Sequence, residues 1–392
     1  MKRVLFVVED ITLAQVVRLV KLARSLPRDA YEVHFAAARF DPLVFADAGF
    51  VQHTIYTVPS EVAFGRLERG QRLYPKRVLA RYVEEELALF SALKPDVVVG
   101  DLRFSLSVSA PHAGIPYAAL INAYWSRALV RKSPFPLPEH PIVKLLGERL
   151  ATEYFPRALP RVFAHFAAPV NALRKRYGLS DLGDLIDVLM FGDRTLFPDV
   201  PAVTPLSAER PSELFLGPVL WEPKLAPPPW WERELGPRAV YVTMGSSGRV
   251  DRLPMVLAGL HALELTSMVS TAGRPLVPDV LAAPYLPGSD AARRAAFVVC
   301  NGGSSTAYQA LREGKPVLGI AHNLDQYLAM TAVCDAGAGI LLRSDSLTEA
   351  KVTEAARALL EDEGYRFAAQ HLSRELARYD SAQRFEEMLA GL

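Results

Sequence analysis

A turn of small polar residues is the strongest candidate for chemistry in this sequence. It follows an apolar run that ends at Cys300, and a helix is predicted to begin near Thr306. The turn consists of Asn301, Gly302, Gly303, Ser304 and Ser305. Glycines let a backbone approach an anion closely, and the first-turn N–H groups and dipole of a helix favour phosphate. The segment predicts a diphosphate site; an ordinary strand-to-helix turn is the alternative.

Two more groups of polar residues follow apolar runs in the same half of the chain. Gly245, Ser246, Ser247 and Gly248 form one small-residue loop, and HNLDQY places Asp325 and Gln326 after a later run. Because ligands gather at the carboxyl ends of parallel strands, a carboxylate and an amide there could bind sugar hydroxyls. Helix capping by Asn323 or Asp325 is the competing interpretation. The turn at Asn301 matches neither GxGxxG nor the P-loop, which disfavours a dehydrogenase or an ATPase.

Short apolar runs alternate with helical patterns and would position these residues. The runs are residues 2–8, 31–38, 95–101 and 115–121, then 239–245, 265–271, 295–303, 315–320 and 337–343. Continuous apolar strands separated by helices predict parallel, doubly wound sheets. The expected fold is therefore α/β, with two doubly wound, Rossmann-like lobes and a cleft between them.

The length of 392 residues also favours two lobes, since single cores rarely exceed about 250–300 residues. A proline-rich stretch at 218–237 is predicted to be the interdomain linker, because prolines do not fit regular helices or central strands. The predicted divisions are an N-terminal lobe at 1–217 and a C-terminal lobe at 238–375. A last helix at 376–392 would cross back to the N-terminal lobe.

Composition limits which kinds of partner and cellular location can be expected for the protein. The formal charge of +1 and the lack of a long basic run disfavour nucleic acid, and the two cysteines show no metal-ligand or disulfide pattern. The run from Val4 to Val8 is too short for a secretory signal, and no apolar stretch reaches the roughly 18 residues that span a bilayer. A cytoplasmic protein is expected, with peripheral contact at the inner membrane face as an open alternative.

An insertion at 127–190, mostly helical, interrupts the N-terminal lobe. Its aromatic residues favour binding of an apolar small molecule, or simply pack the lobe: Phe135, Tyr154, Phe155, Phe163 and Phe166. Its basic residues could rest on an anionic membrane surface: Arg131, Lys132, Lys144, Arg149, Arg157 and Arg161.

The segments NGGSSTAYQAL, GKPVLG and DQ stand in the order and spacing of a known family. The chain resembles the UDP- or dTDP-sugar-dependent glycosyltransferases of natural-product, sterol and macrolide chemistry, which have the GT-B fold. The resemblance covers most of the chain and is strongest from Ala239 to Gly337. It implies a donor diphosphate near Asn301 to Thr306, ribose contact at Gln309 and donor sugar at Asp325 and Gln326. It also implies that Tyr285, in YLPG, stacks on the nucleobase.

Departures from the family pattern concern the donor and the base. Asn301 replaces a diphosphate-binding His, and Gly288 replaces the Gln that contacts a pyrimidine. Gln15 stands at the position of the acceptor-site His and cannot act as a general base. Asp101 matches the aspartate that supports that His, so it becomes the leading catalytic candidate.

Glu9 or Asp10 are the other residues that could take the proton. For Asp10 and Thr12, capping of the first helix is the competing role.

The resemblance implies an inverting displacement with a nucleotide sugar as co-substrate, no cofactor and no metal, acting on a small-molecule acceptor. No acidic pair lies at the donor turn. Two alternatives remain open: a nucleotide-sugar epimerase, and a catalytically silent relative that binds a ligand or activates a partner enzyme.

Overall fold

The computed structural model describes residues 1–46, 49–139, 143, 147–223, 225–275 and 280–392, without the side chains of 148 and 149. Two separate parallel sheets organise the chain. The N-terminal lobe is built on a seven-stranded sheet and the C-terminal lobe on a six-stranded sheet. The predicted pair of doubly wound α/β lobes is confirmed.

The N-terminal sheet has the strand order β3-β2-β1-β4-β5-β6-β7. Its strands are β1 (Lys2–Val7), β2 (Tyr31–Ala37), β3 (Val51–Thr54), β4 (Val97–Asp101), β5 (Tyr117–Leu120), β6 (Arg194–Phe197) and β7 (Glu213–Phe215). Its helices are α1 (Leu13–Ser25), α2 (Pro42–Phe45), α3 (Ser60–Glu68), α4 (Lys76–Leu93), α5 (Leu106–Ala113), α6 (Glu148–Arg176) and α7 (Leu185–Leu189). A short 3₁₀ helix spans Ala123–Trp125.

The C-terminal sheet has the order β10-β9-β8-β11-β12-β13. Its strands are β8 (Ala239–Thr243), β9 (Thr266–Ser270), β10 (Leu281–Ala283), β11 (Val298–Cys300), β12 (Val317–Ala321) and β13 (Gly339–Arg343). The helices that follow the linker are α8 (Leu253–His261), α9 (Gly288–Arg294), α10 (Ser304–Arg312), α11 (Leu324–Asp335), α12 (Glu349–Glu361), α13 (Glu363–Leu376) and α14 (Ser381–Ala390).

Strand order reverses at one place in each sheet, and these places determine where a ligand can bind. In the N-terminal sheet β1 lies between β2 and β4, and in the C-terminal sheet β8 lies between β9 and β11. Consecutive crossover helices leave from opposite faces there, so a crevice opens beyond the carboxyl ends of the two central strands. The crevices lie after β1 and β4 in one lobe and after β8 and β11 in the other.

Burial explains why the apolar runs form these strands. β4 and β8 are buried along their whole length, as expected for strands covered by helices on both faces. On α1, apolar residues at helical spacing, such as Val16 and Val20, pack against Phe6 and Phe35 of the sheet. Within the described part of the chain, no helix is long and apolar enough to cross a membrane.

Two segments pass between the lobes. The strap, residues 129–139, leaves the N-terminal lobe and packs on the C-terminal lobe, where Ser133 donates to Asp335 and Glu139 accepts from Tyr327. The last helix, α14, follows the C-terminal lobe along the chain but packs against α1, with Phe385 in the core beside β1. In the described residues of 218–237, which omit 224, the structure contains no helix or strand. The proposed domain boundaries stay a prediction.

Candidate active site

The two small-residue loops meet at the crevice of the C-terminal lobe. β8 and β11 are parallel neighbours, and the loops at 244–248 and 301–303 leave their carboxyl ends. Asn301 joins the loops: its Nδ2 donates to Ser247 Oγ at 3.2 Å, and its Oδ1 accepts from the Gly303 N–H at 3.3 Å. The arrangement forms a small polar cradle at the sheet edge.

Helix α10 begins at this cradle with uncapped amides. Gly303 is its N-cap and offers no side chain, so no side-chain hydrogen bond caps the first turn. Ser304, Ser305 and Thr306 occupy that turn and are half-buried. Uncapped first-turn N–H groups and the positive end of the helix dipole suit an anionic group.

Glycines in the loops are required by geometry. Gly302 has φ +78°, in the left-handed region, and a Cβ there would lie 2.9 Å from Met330. A Cβ on Gly248 would overlap the Met244 carbonyl. Neither position can carry a side chain without moving the cradle.

Arg274 is a residue of this cradle that sequence reasoning missed. Its guanidinium donates to the Gly245 carbonyl at 2.8 Å and to the Ser246 carbonyl at 2.9 Å. Burial lowers the pKa of Arg274, but a guanidinium still stays charged at neutral pH. Tyr285 lies beside it, since a Cβ on Gly273 would be 3.3 Å from the Tyr285 hydroxyl. Arg274 therefore brings to the cradle a positive charge that Asn301 cannot supply. The only sequence signal was a basic residue after a glycine beyond a predicted strand.

Gln309 uses the space left by the missing side chain of Gly288. A Cβ on Gly288 would lie 2.7 Å from Gln309 Oε1, and Gln309 Nε2 donates to the Trp221 carbonyl at 3.2 Å. The departure from the family pattern at Gly288 thus lies beside Gln309, the residue for which the resemblance implies a ribose contact.

The start of α11 contains both proposed sugar-binding residues. Asn323 caps this helix by accepting from the Gln326 N–H, so the capping interpretation holds for Asn323. The Gln326 side chain accepts from the His322 N–H at 3.1 Å, and its Nε2 lies 3.4 Å from Ser247 Oγ. Gln326 thereby belongs to the same cradle as Asn301.

Asp325 faces the N-terminal lobe. Its Oδ1 accepts from the Tyr124 hydroxyl at 3.0 Å and from Trp125 Nε1 at 2.8 Å. Both aromatic residues lie on the 3₁₀ helix after β5. A donor sugar at Asp325 would therefore touch residues of both lobes.

Asp101 lies at the carboxyl end of β4, at the crevice of the N-terminal lobe. It is 0% exposed, and its two oxygens accept from Nε and Nη2 of Arg18, each at 2.8 Å. Burial raises the pKa of Asp101 to about 6, while the neighbouring Arg18 opposes this increase. Asp325 also raises the pKa of Asp101, so the two carboxylates of opposite lobes are close enough to interact.

The side chains of Gln15 and Asp10 both bind other residues of the N-terminal lobe. The Gln15 side chain accepts from the Thr12 N–H at 2.9 Å, and Thr12 is the N-cap of α1. The capping role considered for Thr12 is therefore confirmed. Asp10 pairs with the exposed Arg39 at 3.1 Å.

Glu9 belongs to a buried cluster of ionisable residues beside the crevice of the N-terminal lobe. Arg103 donates to Glu9 at 3.2 Å and to Glu86 at 2.8 Å, and Tyr82 donates to Glu9 at 3.1 Å. All three charged side chains are no more than 1% exposed. Burial raises the pKa of Glu9 to about 7.

A chain of buried hydrogen bonds connects the two crevices. Arg18 donates to Asn122 at 2.7 Å, and Asn122 donates to Asp199 at 3.0 Å. Asp199 also accepts from the hydroxyl of Tyr308 on α10 at 2.8 Å. The helix that begins at the cradle, α10, is thus tied to the lobe that contains Asp101.

Comparison with known proteins identifies the family. Residues 247–389 match the family model for the C-terminal domain of erythromycin biosynthesis protein CIII-like proteins. A PGL/p-HBAD biosynthesis rhamnosyltransferase of Mycobacterium bovis is 46% identical over 96% of this chain and 85% of its own length. A PGL/p-HBAD biosynthesis glycosyltransferase of Mycobacterium tuberculosis is 44% identical over 95% of this chain and 88% of its own.

Two solved structures have the same fold. A Streptomyces glycosyltransferase complexed with thymidine diphosphate superposes with a TM-score of 0.70 at 20% identity, covering 100% of both chains. The spinosyn rhamnosyltransferase complexed with spinosyn aglycone has a TM-score of 0.67 at 20% identity, covering 99% of this chain and 100% of its own. The two lobes thus have the GT-B architecture, and the chain belongs to the family of the mycobacterial PGL/p-HBAD biosynthesis glycosyltransferases and is itself a glycosyltransferase.

Proposed function

We propose that the enzyme transfers a sugar, rhamnose or a related deoxyhexose, from a nucleoside diphosphate to a hydroxyl of an apolar acceptor, with inversion and without a metal. The observation that carries the proposal is the cradle at the C-terminal crevice. Two glycine-containing loops joined by Asn301 lie there beside the uncapped first turn of α10. The relative named a rhamnosyltransferase and the neighbour complexed with thymidine diphosphate support the choice of sugar and donor.

The diphosphate is the leaving group in this mechanism. Its growing negative charge would meet the first-turn N–H groups of α10, with the Arg274 guanidinium nearby. Preorganised donors of this kind stabilise a transition state without reorganisation at the moment of reaction. In this mechanism the N–H groups and the guanidinium stabilise the leaving group without a bound metal ion. We therefore expect the transfer rate to be unchanged by a chelator.

The acceptor would bind on the N-terminal side of the crevice. Its hydroxyl oxygen attacks the anomeric carbon, the bond from that carbon to the diphosphate breaks, and Asp101 takes the hydroxyl proton. An Arg-paired carboxylate still has free lone pairs to accept a proton. Because Asp101 is 0% exposed, the acceptor reaches it only after the side chains that cover it move.

To test the proposal, the enzyme is incubated with dTDP- or UDP-linked hexoses and 6-deoxyhexoses as donors and with apolar alcohols and phenols as acceptors. Each reaction is run with and without a chelator. NMR of the product would report the anomeric configuration. We expect a glycoside of inverted configuration and an equal amount of free nucleoside diphosphate. A retained configuration contradicts the mechanism. Donor cleavage or epimerisation that needs no acceptor favours the epimerase, and donor binding without any turnover favours the silent relative.

A further inference from the structure

Helix α6 exposes a narrow stripe of apolar and basic side chains. Leu150, Tyr154, Arg157, Arg161 and His165 recur at spacings of three and four residues, so they lie on one side of the helix. All five are exposed, Leu150 by 47% and Tyr154 by 52%. The opposite side is buried, with Phe163 in a cluster that includes Trp125 and Leu328 of the interlobe crevice.

A strongly basic connector adjoins the end of this stripe. Residues 66–81, which run from the end of α3 into the first turns of α4, contain six basic residues and one acidic residue, Glu68. Arg72 of the connector donates to the His165 carbonyl at 3.0 Å, which places the connector against the stripe. Arg69, Lys76 and Arg77 are exposed. We call the stripe and the connector together the basic face.

The basic face carries a much larger positive charge than the chain as a whole. Its two ranges, 66–81 and 150–165, contain eight basic and two acidic residues, whereas the whole chain has a formal charge of +1. The rest of the chain is therefore net acidic. Within the described part of the chain, Arg69, Lys76 and Arg77 form no ion pair, although Arg81 pairs with Glu85 and Arg157 lies 3.9 Å from Glu153.

We infer that the basic face docks on an anionic phospholipid bilayer. Each Lys or Arg near such a surface contributes about 1 kcal/mol of attraction. Exposed apolar side chains among the cations, Leu150 and Tyr154 on α6 and Val62 and Leu67 on α3, gain free energy by entering the headgroup region. A polyanion such as RNA offers these side chains no apolar layer, so the mixture of apolar and basic residues favours a membrane.

The basic face differs in part from the surface that composition alone suggested. Arg131 donates to the Tyr124 carbonyl and Lys132 to the Asp335 carbonyl, so both are used in contacts around the strap. Lys144 lies outside the described residues, as does the side chain of Arg149. Arg157 and Arg161 remain, and the connector supplies the other cations.

Sedimentation with lipid vesicles tests the inference. The full chain is mixed with vesicles of phosphatidylglycerol and phosphatidylcholine, or of phosphatidylcholine alone. The variant Arg157→Glu/Arg161→Glu reverses two charges of the stripe, and Lys351→Glu/Arg357→Glu reverses two exposed charges of α12 as a matched control. We expect binding only to the anionic vesicles, weakened at least tenfold by the stripe variant and less than twofold by the control. Tyr154→Ser should weaken binding while leaving its salt dependence intact.

Three results would overturn the inference: no binding to anionic vesicles, equal loss in the stripe and control variants, or displacement from vesicles by single-stranded RNA at low concentration. Urea unfolding of each variant shows whether the fold is kept. The inference is independent of the transfer reaction. A water-soluble acceptor should be glycosylated equally fast by wild type and stripe variant, so a missing activity in both would count against the proposed function only.

Discussion

At the scale of single residues, Asp101 is the group on which the proposed chemistry depends. Its pKa of about 6 means that it becomes ionised, and able to accept a proton, as the pH rises through 6. We expect kcat/KM to fall at lower pH with an apparent pKa near that value. Asp101→Asn should lower kcat by about 100- to 10,000-fold and abolish this limb of the pH profile.

Asp199→Asn is the matched control, since Asp199 is also 0% exposed and lies in the same hydrogen-bond chain. It should reduce stability and keep the pH limb. If Asp101→Asn lowers stability but leaves the pH profile of kcat/KM unchanged, Asp101 has a structural role and another group takes the proton.

Glu9 makes stability depend on pH. The folded protein holds a proton on Glu9 up to about pH 7, whereas the unfolded chain releases it near the ordinary value of 4.5. Between these values the unfolded state binds fewer protons, so the free energy of unfolding falls as the pH rises. A shift of this size corresponds to about 3 kcal/mol.

Urea unfolding at about pH 5 and about pH 7 checks this expectation. Glu9→Gln should flatten the decrease, because an amide does not titrate, while the exposed Glu354→Gln should leave it unchanged. An equally steep decrease in Glu9→Gln would show that other buried groups, such as Asp101, cause it.

Residue types alone predicted the cradle, but not the partners of the ionisable groups at the crevice of the N-terminal lobe. Asn301 and its glycines are consecutive, so their chemistry could be read from a short segment. Arg18 and Asp101 are 83 positions apart, and nothing local in either segment indicates their contact. Gln15 shows a missed local signal, since Thr12-x-x-Gln15 has the spacing of a capping box.

At the scale of elements, the loop after β8 depends on Gly248. A Cβ there overlaps the Met244 carbonyl and approaches Asn301 Cβ at 2.8 Å, so Gly248→Ala must displace the cradle. We expect it to abolish stabilisation by nucleotide, which for wild type is about 2.7 kcal/mol at 100 times the dissociation constant.

Thermal unfolding with and without nucleoside diphosphate measures how much the nucleotide stabilises Gly248→Ala. Gly65→Ala in α3 is the matched control, because its Cβ would meet only the flexible end of Arg69 and the helix gains about 0.5–1 kcal/mol. Full nucleotide stabilisation in Gly248→Ala would remove the 244–248 loop from the donor site.

Long apolar runs predicted most central strands and the edge strand β13, whereas the short strands β3, β6, β7 and β10 were missed. β4 and β8 are continuous apolar runs because helices cover both of their faces. β3 reads VQHT and is largely exposed, so it has no apolar pattern and is set by its pairing with β2. Helix α6 contains three internal prolines, which intrinsic propensity disfavours, and its burial against the lobe outweighs that preference.

At the scale of the whole molecule, the lobes are joined by polar contacts that sequence patterns do not reveal. Tyr308→Phe removes the hydroxyl that links α10 to Asp199. Loss of a hydrogen bond to a buried carboxylate should cost about 1.5–3 kcal/mol of unfolding free energy. Tyr154→Phe, which removes the hydroxyl of a side chain that is 52% exposed on α6, should change stability by less than about 0.5 kcal/mol.

Chemical denaturation compares these two variants under identical conditions. Equal stability of both would mean that the contact between Tyr308 and Asp199 contributes nothing to holding the lobes together.

The proposed reaction requires that a nucleoside diphosphate binds at the cradle around Asn301. Asn301→Asp tests it most directly by calorimetric titration with dTDP and UDP, because the change keeps shape and the acceptor for Gly303 while adding to the cradle a negative charge that would repel a diphosphate. We predict that wild type binds one of the two nucleotides and that Asn301→Asp binds it at least tenfold more weakly, whereas the exposed control Gln370→Glu binds it normally. Unchanged affinity in Asn301→Asp, or no binding of either nucleotide to wild type, would contradict the account.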